Sequence, residues 1–332
     1  MRAPLRTRRW SGPVLALAVV LTAAACTSSA ARPHSPHEVT PSPKAPHSAG
    51  ASAAAQVHYP SVASVLRTRA TGGLVLERNI PSSGAFRPRP AFLYVPPVLR
   101  GSAHRHVPVL ELLHGTPGQP SDWLTRGALR ATADAFAARH GGRAPLIVAP
   151  DLNGTQRGDS ECIRTASGAP VEKYLTVDVV RWVRHKYRLD VGKSRWWVAG
   201  LSEGGLCSAV LALRHPSLYA AFGDMSGLLR PIVEHLTQAE SDRVLYRGDA
   251  VAQREHDPTW LLQHRRYSGL RAWFACGASD GKVLPAQKAL VAAARRAGLP
   301  TYAEVRPGRH AWSVWTVALR QLLPWLWSRQ PT

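Results

Sequence analysis

The stretch 195–209, "RWWVAGLSEGGLCSA", runs an apolar segment into Gly200, places Ser202 at its tip and follows with Gly204 and Gly205. A serine hydroxyl becomes a useful nucleophile only when a neighbouring base takes its proton. The pattern Gly200-x-Ser202-x-Gly204 occurs by chance in roughly one chain in ten of this length, so its setting must carry the argument. The setting is an apolar run before it and a helix-forming run, "EGGLCSAVLALRHP", after it. That is the context of a nucleophile elbow: the turn forces the serine into a strained backbone conformation, and the glycines at 200 and 204 let strand and helix approach closely. The hydroxyl then points outward at the carboxyl edge of a sheet. It also sits at a helix N-terminus, which favours developing negative charge.

For this turn the partners follow in the order serine, acid, histidine. Of fourteen histidines only His310 lies late in the chain, just past the apolar run "TYAEVRP". Asp280 lies between, just past "RAWFACG". Asp280 would fix the imidazole tautomer and stabilise its cation. Asp257 and Asp224 are the fallback acids, with Asp224 expected to be structural because it lies within a strand. A tetrahedral intermediate needs main-chain donors. Glu203, directly after the serine, should supply one. The second should come from "HGTPG" at 114–118: Pro117 has no N–H, so Thr116 is the first choice and Gly115 the alternative. His114 is expected to pack as a structural ring under that loop. Against each assignment stands the plain reading of a residue on a surface loop.

These residues need a scaffold that brings strand ends together. Eight short β-rich runs are visible: "GLVLERNI", "AFLYVP", "VPVLELLHG", "PLIVAP", "RWWVAG", "AAFGDMSG", "RAWFACG" and "TYAEVRP". Helical stretches are predicted at 128–139, 171–187, 203–214, 283–298 and 312–328. The best of them, 171–187, puts Tyr174, Val177, Val180, Trp182 and Val183 near one face. Alternating strands and helices imply an α/β domain with a mostly parallel sheet covered on both faces. The first two or three strands have no helix between them, so an antiparallel N-terminal edge is expected. One domain, 59–330, is predicted, with no internal repeat.

The chain has 332 residues, 45% of them hydrophobic, and a formal charge of +21. Residues 1–25 carry four arginines and no acid, so a chain starting at Cys26 would keep about +17. Such a surface favours an anionic cell-envelope polymer or anionic lipid as neighbour, the plain alternative being an Arg-rich coding bias. No basic–aromatic pattern of a nucleic-acid-binding fold is present. The first 25 residues, "MRAPLRTRRW" then "SGPVLALAVVLTAAA", read as a signal peptide, and Cys26 after "TAAA" as a site of lipidation. The apolar run is too short to span a membrane, so contact with a membrane would come only through the lipid. Residues 26–58 are rich in Pro, Ser, Ala and His and read as a disordered tether. Export to the outer face of the cytoplasmic membrane, or secretion, is the expectation.

The pieces "LLHGTPGQPSDW", "APDLNG", "EKYLTVDVVRWVRHKY", "VAGLSEGGLCSAVLALRHPSLYAAFGDMSG" and "PGRHAWSVW" resemble, in order and over about 75–327, the esterase D / mycolyltransferase family of α/β-hydrolases. The resemblance implies an α/β-hydrolase fold and a triad of Ser202, Asp280 and His310, with Thr116 and Glu203 supplying oxyanion amides. It implies cleavage of small esters or thioesters, or acyl transfer to sugars outside the cell, without cofactor or metal. Methionine commonly follows the serine in that family. Glu203 departs from this, and its charge would oppose the oxyanion unless it points away or pairs with a basic neighbour. If Cys26 is lipidated, Cys162, Cys207 and Cys276 remain. A Cys162–Cys207 bridge, of a kind familiar in exported relatives, is expected to staple the 151–165 loop over the site and leave Cys276 buried and free. No cysteine spacing suggests zinc.

Two functions from different classes follow. One is an exported serine esterase or acyltransferase on small-molecule, lipid or sugar esters. The other is a catalytically weak protein of the same fold that binds anionic envelope material. A peptidase fits the serine motif equally, but no peptide-recognition domain accompanies it.

Overall fold

In the computed structural model, residues 59–67, 72–82, 88–100, 106–165 and 167–328 are described. The predicted signal segment, the tether and Cys26 lie outside them. A short helix α1 (Val62–Arg67) precedes strands β1 (Leu74–Ile80) and β2 (Arg89–Val95). Next come β3 (Val109–Leu113), helices α2 (Asp122–Thr125) and α3 (Leu129–Arg139), and β4 (Leu146–Pro150). A helical run at 171–187 consists of α4 (Val171–Lys173), a wider π-type segment (Tyr174–Val179) and α5 (Val180–Tyr187). Then follow β5 (Trp196–Leu201), α6 (Glu203–Arg214) and β6 (Ala221–Met225). Three short helices, α7 (Gln238–Tyr246), α8 (Ala250–Glu255) and α9 (Pro258–His264), lead to β7 (Arg271–Gly277). The chain closes with α10 (Val283–Arg296), β8 (Thr301–Arg306) and α11 (Trp312–Trp327).

The eight strands form one sheet in the order β1-β2-β4-β3-β5-β6-β7-β8. β1 pairs antiparallel with β2, and β2 antiparallel with β4; every other pairing is parallel. The predicted antiparallel edge is therefore two strands wide. The parallel strands β3 to β7 are buried along their whole length, which is why they read as unbroken apolar runs rather than alternating ones. Their two faces still feed different layers. In β5, Trp196 and Val198 join one apolar cluster, while Trp197, Ala199 and Leu201 join the other. The first cluster includes residues of α5, α6, α9 and α10; the second includes residues of α3 and α11. Both tryptophans are fully buried, and truncating either to alanine would cost about 3–5 kcal/mol.

Two local expectations differ from the structure. In 171–187 the buried residues are Val171, Tyr174, Leu175, Asp178, Val179, Val180 and Val183, while Val177 is exposed and Trp182 half-buried. The wider turns across Tyr174–Val179 shift the phase of the helix, so a regular helical period points Val177 the wrong way. Helices α7 to α9 carry no long apolar stripe and were not predicted. Their start signals are in the sequence, however. Thr237 and Glu240 form a capping box, Asp249 caps α8, and Asp257 caps α9 ahead of Pro258.

Candidate active site

Strand β5 ends on Leu201, and α6 begins at Glu203, leaving Ser202 alone at the corner with φ 53° and ψ −121°. Holding a serine there costs about 1–3 kcal/mol. The turn is fixed by neighbours: Ser202 N–H donates to Met225 O at 2.9 Å, tying it to the end of β6. The two glycines of the motif are needed for close approach. A Cβ on Gly200 would lie 2.4 Å from Gly204 O, and one on Gly204 would lie 2.3 Å from His114 O.

His310 and Asp280 reach Ser202 from two loops that are laced to each other. Ala278 N–H donates to Arg306 O, and Ser279 N–H to Gly308 O. These bonds join the carboxyl ends of β7 and β8. His310 Nε2 lies 3.0 Å from Ser202 Oγ, and His310 Nδ1 lies 2.9 Å from Asp280 Oδ2. Asp280 is 4% exposed, so its charge acts on the imidazole with little screening from water. The His310 ring also meets Trp315 edge to face at 4.8 Å, and Trp315 Nε1–H donates to Ser226 Oγ. Beneath the acid, Cys276 Sγ lies 3.7 Å from Asp280 Oδ2. Burial pushes this free thiol up to about 12, and the Asp280 charge adds to the shift.

The main-chain N–H groups of Thr116 and Glu203 flank the serine and donate to no protein acceptor among the described residues. Of the two resolutions considered from sequence, pointing away or pairing with a basic neighbour, the Glu203 carboxylate takes no basic partner but turns onto Asn153 and residues 160–161. It is 5% exposed and is held by neutral donors. Oε2 accepts from Asn153 Nδ2 at 2.8 Å and from the Thr116 hydroxyl. Oε1 accepts from Ser160 N–H at 3.2 Å, Glu161 N–H at 3.1 Å and the Ser160 hydroxyl at 3.4 Å. Thr116 Oγ1 in turn accepts from Asn153 Nδ2 and contacts Gly158 O, each at 2.9 Å. The side chain beside the nucleophile therefore fixes the loop that carries the second N–H. Asn153 and Ser160 were not singled out from sequence. Asn153 sits in the quoted "APDLNG", but nothing there shows that it reaches residue 203.

The remaining predicted residues fall into place as follows. His114 is buried, with Nδ1 2.9 Å from Gly115 O and Nε2 accepting from Leu152 N–H, so it props the loop rather than facing the serine. Asp224 is fully buried in β6 and accepts from Gly227 N–H; burial pushes it up to about 7. Asp257 spends its Oδ1 on the N-terminus of α9. Cys162 and Cys207 form a disulfide with Cα atoms 5.7 Å apart, joining the loop after β4 to the nucleophile helix. Among the described residues no group of three or more His, Cys, Asp or Glu could hold a metal ion, and no helix is long and apolar enough to cross a membrane.

Two cavities meet at Ser202 and His310. One, of about 320 Å³, is walled by Tyr59, Asp122, Arg126, Trp312 and Trp315. The other, of about 420 Å³, runs past Glu203 toward the segment 228–236.

Residues 82–326 match the Esterase family along most of this scaffold. The chain belongs to the Esterase family. Members of this family are carboxylic ester hydrolases, and the resemblance to esterase D and mycolyltransferases read from the motifs stands with it. An uncharacterized protein of Corynebacterium glutamicum is 32% identical over 254 residues, covering 75% of this chain and 59% of that protein. The chain thus matches about three-fifths of that relative's length. Among solved structures, a ferulic acid esterase superposes with a TM-score of 0.66 at 23% identity, covering 76% of this chain and 97% of that one. An S-formylglutathione hydrolase from Agrobacterium tumefaciens gives 0.65 at 18% identity, covering 79% and 98%. At these identities the likeness establishes the fold, an α/β-hydrolase sheet with its antiparallel edge.

Proposed function

We propose that this Esterase-family chain is an exported serine esterase or acyltransferase that works on carboxylic esters through an acyl-serine intermediate. The observation that carries the reading is the unbroken line from Asp280 Oδ2 through His310 to Ser202 Oγ, with steps of 2.9 and 3.0 Å, beside two uncommitted N–H groups. His310 Nε2 takes the Ser202 proton as Oγ attacks the ester carbonyl. The Thr116 and Glu203 N–H groups hold the oxyanion, and Asp280 holds the imidazolium that forms. The proton on Nε2 then passes to the leaving alkoxide. Water or an acceptor hydroxyl, deprotonated by the same nitrogen, releases the acyl group and restores the serine.

Export is supported by the basic–apolar N-terminus and by the disulfide, which suits an oxidising compartment. Lipidation at Cys26 would hold the domain at the outer face of the membrane, where its basic surface meets anionic polymer. The test of the chemistry is release of p-nitrophenol from short-chain esters. Ser202→Ala is expected to lower kcat on the order of 10⁶-fold and to abolish labelling by a fluorophosphonate. Activity unchanged in that variant would refute the assignment. An unlabelled wild type would favour the weak, binding-only protein instead.

A further inference from the structure

The larger cavity at Ser202 has a lining at odds with the chain that builds it. The protein carries a formal charge of +21, yet no lysine or arginine lines this cavity, and four carboxylates do: Asp159, Glu161, Glu203 and Glu234. Glu203 is occupied by its donors. Asp159 Oδ2 accepts from Glu234 N–H at 2.6 Å, but its Oδ1 is buried without a hydrogen-bond partner. Glu161 is 3% exposed, lines the cavity, and its Oε2 is likewise buried and unpartnered. A buried carboxyl oxygen without a donor is unfavourable, and a ligand donor or cation in the cavity would relieve it. Burial, then the charge of Glu203, pushes Asp159 up to about 7; burial, then the charges of Asp159 and Glu203, holds Glu161 well above the usual range. The charges acting on Asp159 are those of Glu203 and Glu234, and those acting on Glu161 are those of Asp159 and Glu203, with no cation among them; the two carboxyls lie close enough to share a proton until a cation displaces it. Beyond the Ser202–His310 edge the wall holds the aliphatic side chains of Leu228, Ile232, Val233, Leu236 and Val283, and the exposed His235, whose Nε2 lies 3.8 Å from Glu234 Oε1. The acidic loop is not free to swing away, because Cys162, next to Glu161, is bonded to Cys207 of α6.

We propose that this cavity is a subsite for a positively charged group, an ammonium or quaternary ammonium on a short aliphatic arm of the ester, seated against Asp159 and Glu161 while the carbonyl lies at Ser202. This inference rests on the esterase reading and adds a substrate class to it. The cation can belong to the acyl or the alcohol half, so two matched pairs are needed. Acetylthiocholine and its carbon-for-nitrogen isostere place the charge in the alcohol half. The p-nitrophenyl ester of trimethylammoniobutanoate and its isostere place it in the acyl half.

In one of the pairs the full chain should favour the cationic member on the order of tenfold in kcat/KM, carried mainly by KM. The ratio should fall toward one in Asp159→Asn and in Glu161→Gln, and on raising salt. Two variants guard against one that does not fold, and a melting curve of each identifies such a case. A wild type that hydrolyses the isosteres at least as well as both cationic esters overturns the proposal and leaves the esterase reading standing. So does a ratio unmoved in both folded variants. If no ester is hydrolysed, the esterase reading falls. Calorimetric titration of Ser202→Ala with butyltrimethylammonium then decides the cation site alone: heat lost in Ser202→Ala/Asp159→Asn supports it, and absence of binding ends it.

Discussion

Glu203→Ala separates two opposed effects of one side chain. As a charge beside the oxyanion, Glu203 should slow the reaction, and removing it should speed it. As the anchor of Thr116, Asn153 and the 160–161 turn, it should be needed for the oxyanion N–H to stay in place. The structure decides between these through its hydrogen bonds. Five donors converge on the carboxylate, and their dipoles offset much of its charge toward the serine. After truncation Asn153 Nδ2 still reaches Thr116, and Ser160 N–H still reaches Asn153 Oδ1 at 3.0 Å. Glu161 N–H loses its partner. One buried donor left unpaired costs about 1–3 kcal/mol, so a loss of about 2 kcal/mol and a Tm lower by about 4–8 °C are expected. Complete loss of an oxyanion donor costs about 10²–10³ in kcat. With Thr116 still tied to Asn153 the displacement is partial, and a fall of about 10–100-fold is expected, with KM little changed. Glu203→Gln keeps an acceptor toward residues 160–161 and should recover most of the loss. The assay is steady-state hydrolysis of a neutral p-nitrophenyl ester, alongside the rate of fluorophosphonate labelling. A kcat that rises, or stays within twofold while Tm falls, would refute the positioning argument and make repulsion the dominant effect.

The bridge between Cys162 and Cys207 closes a sequence separation of 45 residues, which corresponds to about 4 kcal/mol of unfolded-state entropy. Unfolded residues 59–332 should show one titratable thiol without reductant and three with it, and equal counts would sink the bridge. The double Cys162→Ser/Cys207→Ser variant should melt about 8–16 °C lower. Glu172 provides a pH test. Burial would raise its pKa, but His215, His256 and Arg214 hold it well below the usual carboxylate range. A depressed acid stabilises the fold above its unfolded value of about 4.5 and loses that contribution as pH falls below it. Glu172→Gln should cost about 3 kcal/mol near pH 7 and flatten the decline of stability below pH 4.5. An unaltered acid slope in denaturant titrations would exclude Glu172 as its source.

The parts of the site legible in the sequence are those fixed by strand ends. A parallel strand buried on both faces has no alternation to blur it, so β3 to β7 were visible as apolar runs, while the edge strands β1 and β8 were visible by their β-rich composition despite exposed positions. The loops after them gave Ser202, Asp280 and His310 by position. The order of strands was not legible, because β4 crosses to lie beside β2 and nothing local to either segment marks that crossing. The wider turns at Tyr174–Val179 were hidden for a related reason: the segment has normal helical composition, and only packing of Leu175 and Val179 reveals the shifted face. Glu203 is the sharpest case. From sequence its neighbours are Ser202 and Gly204, and its charge reads as an obstacle. In the fold its partners come from residues 42 to 87 positions away, and the same charge becomes the point on which the oxyanion loop is hung. The acidic lining around Asp159 and Glu161 is invisible for the same reason. Those acids stand on one loop while Glu234 stands on another, and the average charge of the chain is of the opposite sign. A composition of +21 therefore describes what the outer surface attracts and says nothing of what the cavity admits. The proposed cation subsite and the net charge of the chain thus favour ligands of opposite sign.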